Sequence, residues 1–257
     1  LARHSLHGTA RFAINNLGFA YSPDLGRVYT SPTTATGSWW HLTLGRYERD
    51  EKTILTQHFA TASTIVEVGS NIGYISRLAL SKLASNGRLI CVEPNPNSIP
   101  ALKKNIDLEL RREWLYANLS VTVENAALCA PTDEVAGFQD FYARPDLSSG
   151  LVKQVKVRER ESEIKTVPVT SLSSLLNKHG IDGFYSLIMD AEGAEIPLLY
   201  QDSEALRRCT QIAIELHEPA LTGQPTSVED MRGRLKVLGF QEQANHGSNF
   251  YFVRRYN

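Results

Sequence analysis

A doubly wound α/β sheet, mostly parallel and closed by a C-terminal antiparallel hairpin, is the fold this sequence predicts. Three observations carry the prediction. Residues 64–95 run from an apolar stretch, Ile65–Val68, through the turn Gly69-Ser70-Asn71-Ile72-Gly73 into a helical stretch. A second apolar stretch, Leu89–Val92, follows and ends at Glu93. The same alternation of apolar strand and amphipathic helix continues to Leu238. Beyond it, Phe240–Gln243 and Asn249–Arg254 flank Asn245-His246-Gly247-Ser248, which is a hairpin pattern.

The elements follow in order. Residues 1–47 are rich in Gly, Ser, Thr and aromatics and predict loops and short strands, with turns at Tyr21-Ser22-Pro23-Asp24 and Ser31-Pro32. Trp39 and Trp40 are expected to cap the core, with a lid over a ligand as the alternative. Residues 48–60 place Ile54, Leu55 and Phe59 on one helix face. The sheet starts at Thr64. Asn97 or Ser98 opens the next helix, where Ile99, Leu102, Ile106 and Leu110 recur at helical spacing. Val121–Asn125 is the third strand. From Glu134 to Lys165 the pattern changes: Phe138, Phe141 and Tyr142 precede a turn at Pro145–Gly150, and Val152–Glu161 alternates apolar and charged residues. This predicts an exposed hairpin inserted in the fold. Thr170 or Ser171 caps a helix ending at Gly180, and Phe184–Met189 forms a fourth strand ending at Asp190. Glu195–Tyr200 starts another helix, Ile212–Leu216 is a fifth strand, and Ser227 caps a last helix over Glu229–Leu238. The expected organisation is an N-terminal extension over 1–47 and a main domain over 48–257, carrying the insertion near 134–165.

In open sheets of this kind ligands sit beyond the C-terminal strand ends, and an acid about 20 residues after the glycine turn is placed to hold a ribose diol. Glu93 is that acid. The turn departs from the dinucleotide fingerprint G-x-G-x-x-G, because Asn71 and Tyr74 stand where its second and third glycines belong. No Lys-Ser or Lys-Thr follows, so the turn is not a P-loop. Glu67 lies two residues before Gly69. A carboxylate there repels a pyrophosphate and suits a ligand carrying an ammonium and a sulfonium, which describes S-adenosylmethionine. A nicotinamide-dependent oxidoreductase is the weaker alternative.

Composition narrows the partners. Lys+Arg number 27 and Asp+Glu 28, giving a net charge of −1, so no global basic field draws the chain to nucleic acid. No run of 18 apolar residues occurs, which argues against a membrane span. Cys91, Cys129 and Cys209 are scattered and form no C-x-x-C pair; this fits a reducing, cytoplasmic setting. The first residues, LARHSLHGTARF, lack the apolar region of a signal peptide and lack an initiating Met.

A second constellation follows the fourth strand: Asp190-Ala191-Glu192-Gly193-Ala194-Glu195, three carboxylates where a strand turns into a helix. One acid there serves helix capping or the helix dipole, a role that suits Glu195; three exceed that need. With this motif the chain resembles the FkbM family of S-adenosylmethionine-dependent methyltransferases. The matching segments are Glu67–Tyr74, Val92–Pro96, Asn125–Leu128, Val167–Leu172 and Asp190–Glu195, spread over roughly residues 50–216. The first motif departs slightly, since the family more often has Asp where Glu67 stands. The resemblance implies a class I methyltransferase, with a Rossmann-like sheet of seven strands, one antiparallel. It also implies O-methylation of a hydroxyl on a sugar, glycan or natural product. A non-catalytic S-adenosylmethionine-binding module is the alternative outside catalysis.

The expected cofactor contacts are Glu67, Gly69, Asn71, Gly73, Tyr74, Glu93, Pro94, Asn125, Ala126 and Asp190. The adenine is expected near Asn125-Ala126-Ala127, where small residues let a flat ring approach. A hydroxyl is a weak nucleophile, so a base should help remove its proton. His217 and Glu192 are the expected bases, with Asp190 orienting cofactor or acceptor. Glu215 and His217 share a strand face at the fifth strand's end, and an imidazole is a sound base at neutral pH. A divalent metal such as magnesium, held by Asp190 with Glu215 or His217, is the alternative.

Overall fold

The computed structural model describes residues 18–30, 36–112, 118–143, 163–219 and 225–255. A hairpin, β1 (Phe19–Ser22) and β2 (Gly26–Tyr29), precedes helices α1 (Thr36–Thr43) and α2 (Arg49–Gln57). Then come β3 (Ala62–Val68), α3 (Tyr74–Leu80), β4 (Leu83–Val92), α4 (Ile99–Leu110), β5 (Ser120–Glu124) and the short β6 (Ala127–Leu128). The chain continues through β7 (Phe138–Ala143), β8 (Glu163–Thr170), α5 (Leu172–Lys178), β9 (Tyr185–Met189), α6 (Glu195–Gln201) and β10 (Cys209–Glu215). It ends with α7 (Val228–Val237), β11 (Phe240–His246) and β12 (Asn249–Arg254).

Seven strands form the central sheet in the order β11-β12-β10-β9-β3-β4-β5. The strands β10, β9, β3, β4 and β5 pair in parallel, and β12 runs antiparallel to both of its neighbours. The order reverses at β3, so the crevice outside the ends of β3 and β9 is the topological switch point where such sheets bind ligands.

Alternation along each strand splits the core into two layers. Val66, Val68, Leu187, Met189, Ile212 and Ile214 face the layer that holds Leu175, Leu198 and Leu235. Ile65, Leu89, Cys91, Ile188 and Ala213 face the other, with Ile54, Leu55, Leu80 and Leu102. The hairpin β1–β2 belongs to this second layer through Ala20, Leu25 and Val28. Arg77, 2% exposed, ties it down: its guanidinium donates to the carbonyls of Leu25 and Arg27 and pairs with Glu109. Helix starts follow the sequence signals. Ser171 accepts from the Ser174 amide, and Ser227 forms a capping box with Asp230.

Three local differences from the sequence reading have physical causes. The strand β4 begins at Leu83, before Asn86-Gly87, because Asn86 takes a left-handed backbone (φ 60) inside the ladder and the register shifts there. Trp39 and Trp40 lie on α1; Trp39 donates to the Phe19 carbonyl and joins the core edge, while Trp40 stays 40% exposed. In the insertion, β7 pairs antiparallel with β8, placing Phe138 opposite Pro168 and Ala143 opposite Glu163. The expected strand at Val152–Glu161 and the turn at Pro145–Gly150 lie outside the described residues. A short parallel pairing of β6 with β8 brings this three-stranded sheet beside the end of β5.

Candidate functional site

A cleft opens at the switch point, where sheets of this kind bind their ligands. One wall is Val68, Gly69 and Asn71 after β3, and a second is Glu93-Pro94-Asn95 after β4. Ala126, Ala127 and Leu128 with Phe141 form the apolar end, and Asp190, Ala191, Glu192 and Ala194 after β9 form the acidic end.

Local backbone demands explain the turn. Gly69 has φ 90, and a Cβ there would lie 1.7 Å from the Asp190 carbonyl oxygen. Only glycine lets the ends of β3 and β9 approach this closely. Gly73 (φ 82) abuts Leu102 on α4, where a Cβ would come within 2.7 Å, so it serves helix packing and does not line the cavity. Asn71 sits in the left-handed region (φ 47), and its amide donates to Glu93 Oε2 at 2.7 Å. The Asn95 amide donates to Glu93 Oε1, also at 2.7 Å. Burial pushes the Glu93 carboxyl up to about 7 even though these two amides favour the anion. Each carboxylate oxygen keeps a second acceptor site for a ligand hydroxyl.

Besides Gly73, three of the expected cofactor contacts do not line the cavity. Glu67 is 2% exposed and faces the α2–α3 layer, because neighbours on a strand point to opposite faces and Val68 takes the cavity side. Its Oε2 accepts from the Cys91 thiol and its Oε1 has no hydrogen-bond partner among the described residues. Tyr74 opens α3 and turns toward the N-terminal hairpin: its hydroxyl donates to Asp24 at 3.0 Å and its ring packs edge-on against Tyr47. Asn125 lies behind the wall and donates to the carbonyls of Glu93 and Pro94, shaping the loop.

At the acidic end the structure joins β9 to β10. Glu195, fully buried, accepts from the Gly193 amide at 2.8 Å, from the Ala191 amide at 3.3 Å and from His217 Nδ1 at 3.0 Å. It is more than a first-turn acid: it pins the turn and orients the imidazole. With Nδ1 held by Glu195, Nε2 lies 3.6 Å from Glu192 and 3.8 Å from Asp190. Burial pulls the His217 pKa down. The Glu195 hydrogen bond and the charges of Glu195, Asp190 and Glu192 outweigh it and raise it to about 10. The carboxylates around the ring thus favour the protonated form of His217, which weighs against its service as a neutral base. Burial and the neighbouring carboxylates Glu215 and Glu48 push Asp190 well above the usual carboxylate range.

Three further residues of the site belong to no motif in the sequence. Phe141 reaches the cavity from the insertion, whose fold depends on pairing with β8. Glu48 and Glu51 of the α2 entry bring their carboxylates to within 4.8 Å of Asp190. In sequence they fall in the helix predicted over 48–60, where Glu51 stands three and four residues before Ile54 and Leu55 on the apolar face.

The residues present fit an adenosine-bearing cofactor. The glycine approach opens the switch point, an acid with spare acceptor capacity closes one wall, and apolar residues line the end beyond it. Comparison with known proteins agrees. The family model described as the methyltransferase FkbM domain matches residues 67–242. Among solved structures, methyltransferase FkbM from Methylobacillus flagellatus KT superposes with a TM-score of 0.51 at 13% identity, covering 98% of this chain and 60% of its own. The present chain thus spans less than two thirds of that relative. A ribosomal protein L11 methylase from Lactobacillus delbrueckii subsp. bulgaricus matches with TM-score 0.41 and 11% identity, covering 80% of this chain and 77% of its own. A putative O-methyltransferase from Klebsiella pneumoniae matches with TM-score 0.40 and 14% identity, covering 76% and 74%. No curated protein matches the chain. With a family model covering the switch point, the acidic turn and most of the sheet, the chain belongs to the FkbM methyltransferase family.

Proposed function

We propose that the chain transfers the methyl group of S-adenosylmethionine to a hydroxyl of a sugar, glycan or small natural product. The observation that carries this reading is the polarity of the cavity: Glu93 after β4 and the alanines after β5 lie on one side of β3, and Asp190 and Glu192 after β9 lie on the other. The first side suits the adenosine, with Glu93 accepting from the ribose and Ala126, Leu128 and Phe141 bordering the adenine. The second side suits an acceptor that must lose a proton. Bound cofactor supplies an electrophilic methyl on sulfonium, and the protein supplies alignment and a proton acceptor.

Glu192 takes the role of base in this reading. It lines the cavity and faces the imidazolium of His217, which balances its negative charge. Its backbone is left-handed (φ 48), a conformation that costs energy for a residue other than glycine and that points to a functional constraint on the turn. Asp190 orients the acceptor, and His217 holds the acidic end together while keeping its own proton.

The test has two parts. Calorimetry should show S-adenosylhomocysteine binding and no comparable binding of a nicotinamide dinucleotide; the reverse result overturns the proposal. Single-turnover transfer to a panel of glycans and phenols should then fall about 10²–10⁴-fold in Glu192→Gln, the usual effect of losing a general base. Full rate in that variant, with a true acceptor, assigns the proton elsewhere.

A further inference from the structure

We infer that Glu48, Glu51 and Asp190 form a divalent-cation site at the acceptor side of the cleft. This deepens the methyl-transfer reading and rests on it only for the use the cation is put to. Three carboxylates from two distant parts of the chain converge here, with one oxygen from each within 4.8 Å of the others. Oxygens about 2.1–2.5 Å from one hard cation are spaced in this way.

Two observations beyond the clustering point to a cation. Glu51 is 5% exposed, yet its carboxylate accepts no hydrogen bond and meets no basic side chain among the described residues; the groups that act on it are Glu48, Asp190, Glu67 and Glu215, all acids. Asp190 Oδ1 is wholly covered and has no hydrogen-bond partner among the described residues, where the nearest cation is His217 Nε2 at 3.8 Å. Burying one unpaired carboxylate is costly, and aiming two at a third compounds the cost unless a cation sits between them. Helix capping does not explain Glu48 either. It precedes α2, but its side chain makes no cap hydrogen bond. It bonds instead to Tyr47, whose hydroxyl accepts from Asn71 Nδ2 at 3.4 Å. The acids are thereby linked to the turn that borders the cofactor cavity.

An all-oxygen donor set of this charge suits magnesium, manganese or calcium better than zinc or copper. Asp190 also lines the cavity, so a cation held here stands where an acceptor oxygen can reach it. There it would polarise a hydroxyl and ease its deprotonation.

Manganese(II) is the probe. The full chain, stripped with a chelator and desalted, is titrated with Mn²⁺ while the free ion is followed by electron paramagnetic resonance. Saturable one-to-one binding, competed by Mg²⁺ or Ca²⁺, is expected. Glu51→Gln and, separately, Glu48→Gln should each weaken it about tenfold or more. S-adenosylhomocysteine affinity should stay within about twofold in both variants, which shows that they are folded; if Glu51→Gln does not fold, Glu48→Gln decides. Absence of saturable Mn²⁺ binding, or wild-type Mn²⁺ affinity in the folded variants, overturns the site and shows that protons alone neutralise these acids. The methyltransferase reading fails separately, by loss of S-adenosylhomocysteine binding in the wild type.

Discussion

His217 and Glu195 form a buried pair, Nδ1 to Oε1 at 3.0 Å, and the same carboxylate accepts from the amides of Gly193 and Ala191. One side chain thus fixes both the turn after β9 and the histidine after β10. Glu195→Ala would leave an imidazolium buried with its main partner gone and strand two amides. It should destabilise the fold by about 3–5 kcal/mol, as breaking a buried ion pair does. Urea unfolding of wild type and variant measures this. Glu195→Gln should retain more stability, because an amide oxygen can still accept from Gly193. A loss below about 1 kcal/mol for Glu195→Ala would show that the turn holds without the pair.

Gly69 makes the sharpest steric prediction. A methyl at this position meets the Asp190 carbonyl at 1.7 Å, and φ 90 is itself unfavourable for alanine. Backbone cannot yield as a flexible side chain can. Gly69→Ala should cost at least about 2 kcal/mol from overpacking and backbone strain together. It should also abolish S-adenosylhomocysteine binding, because the strand ends that shape the cavity must move apart. Normal calorimetric binding in the variant would show that the two ends are free to separate.

Those two positions also show what a sequence can disclose. Gly69, Glu93 and the strand preceding each are a local pattern, and local patterns were readable: the caps at Ser171 and Ser227, the apolar strands and the closing hairpin all fall where turn chemistry and periodicity put them. Facing was harder. Glu67 and Val68 are adjacent, and which of them meets the ligand depends on strand phase relative to both helix layers. The acidic end depends on contacts with no local signature. Glu48 reaches Asp190 across most of the sheet-forming chain, and Glu195 reaches His217 only because β9 and β10 are neighbours. The protonation of His217 is likewise invisible in sequence, since it follows from three carboxylates gathered around one ring.

Glu93 gives the cofactor a pH dependence. Its pKa rises from 4.5 to about 7 in the folded protein, chiefly through burial. The folded state therefore binds more protons than the unfolded state across that window, so the Glu93 contribution to stability falls as pH rises through it. Ligand binding has the opposite sign. Ribose hydroxyls donate to the carboxylate and favour its ionised form. S-adenosylhomocysteine affinity should increase from pH 6 to pH 8 with release of a proton, then level off. In Glu93→Gln the slope should vanish. Glu93→Ala should lose about 1–3 kcal/mol of binding, since ribose and two amides lose their acceptor. Calorimetry in buffers of different ionisation enthalpy detects the proton directly, and an unchanged slope in Glu93→Gln would assign it to another group.

The apolar end of the cavity tests where the adenine lies. Ala126 and Ala127 are both buried and both line the cavity, with Leu128 and Phe141 beside them. A residue that merely fills core tolerates no large substitution, whereas a residue at the edge of a ligand space can accept one at the ligand's expense. Ala126→Trp should therefore remain folded, its indole occupying the space meant for a purine, and should weaken S-adenosylhomocysteine at least about tenfold, or 1.4 kcal/mol. Thermal unfolding without ligand should change little, while the stabilisation conferred by added S-adenosylhomocysteine should largely disappear. Phe141→Leu is the companion variant. It keeps an apolar border, so its effect on affinity should be smaller than that of Ala126→Trp. If Ala126→Trp folds and binds the ligand as tightly as wild type, the adenine lies elsewhere in the cleft and the small residues after β5 serve packing alone.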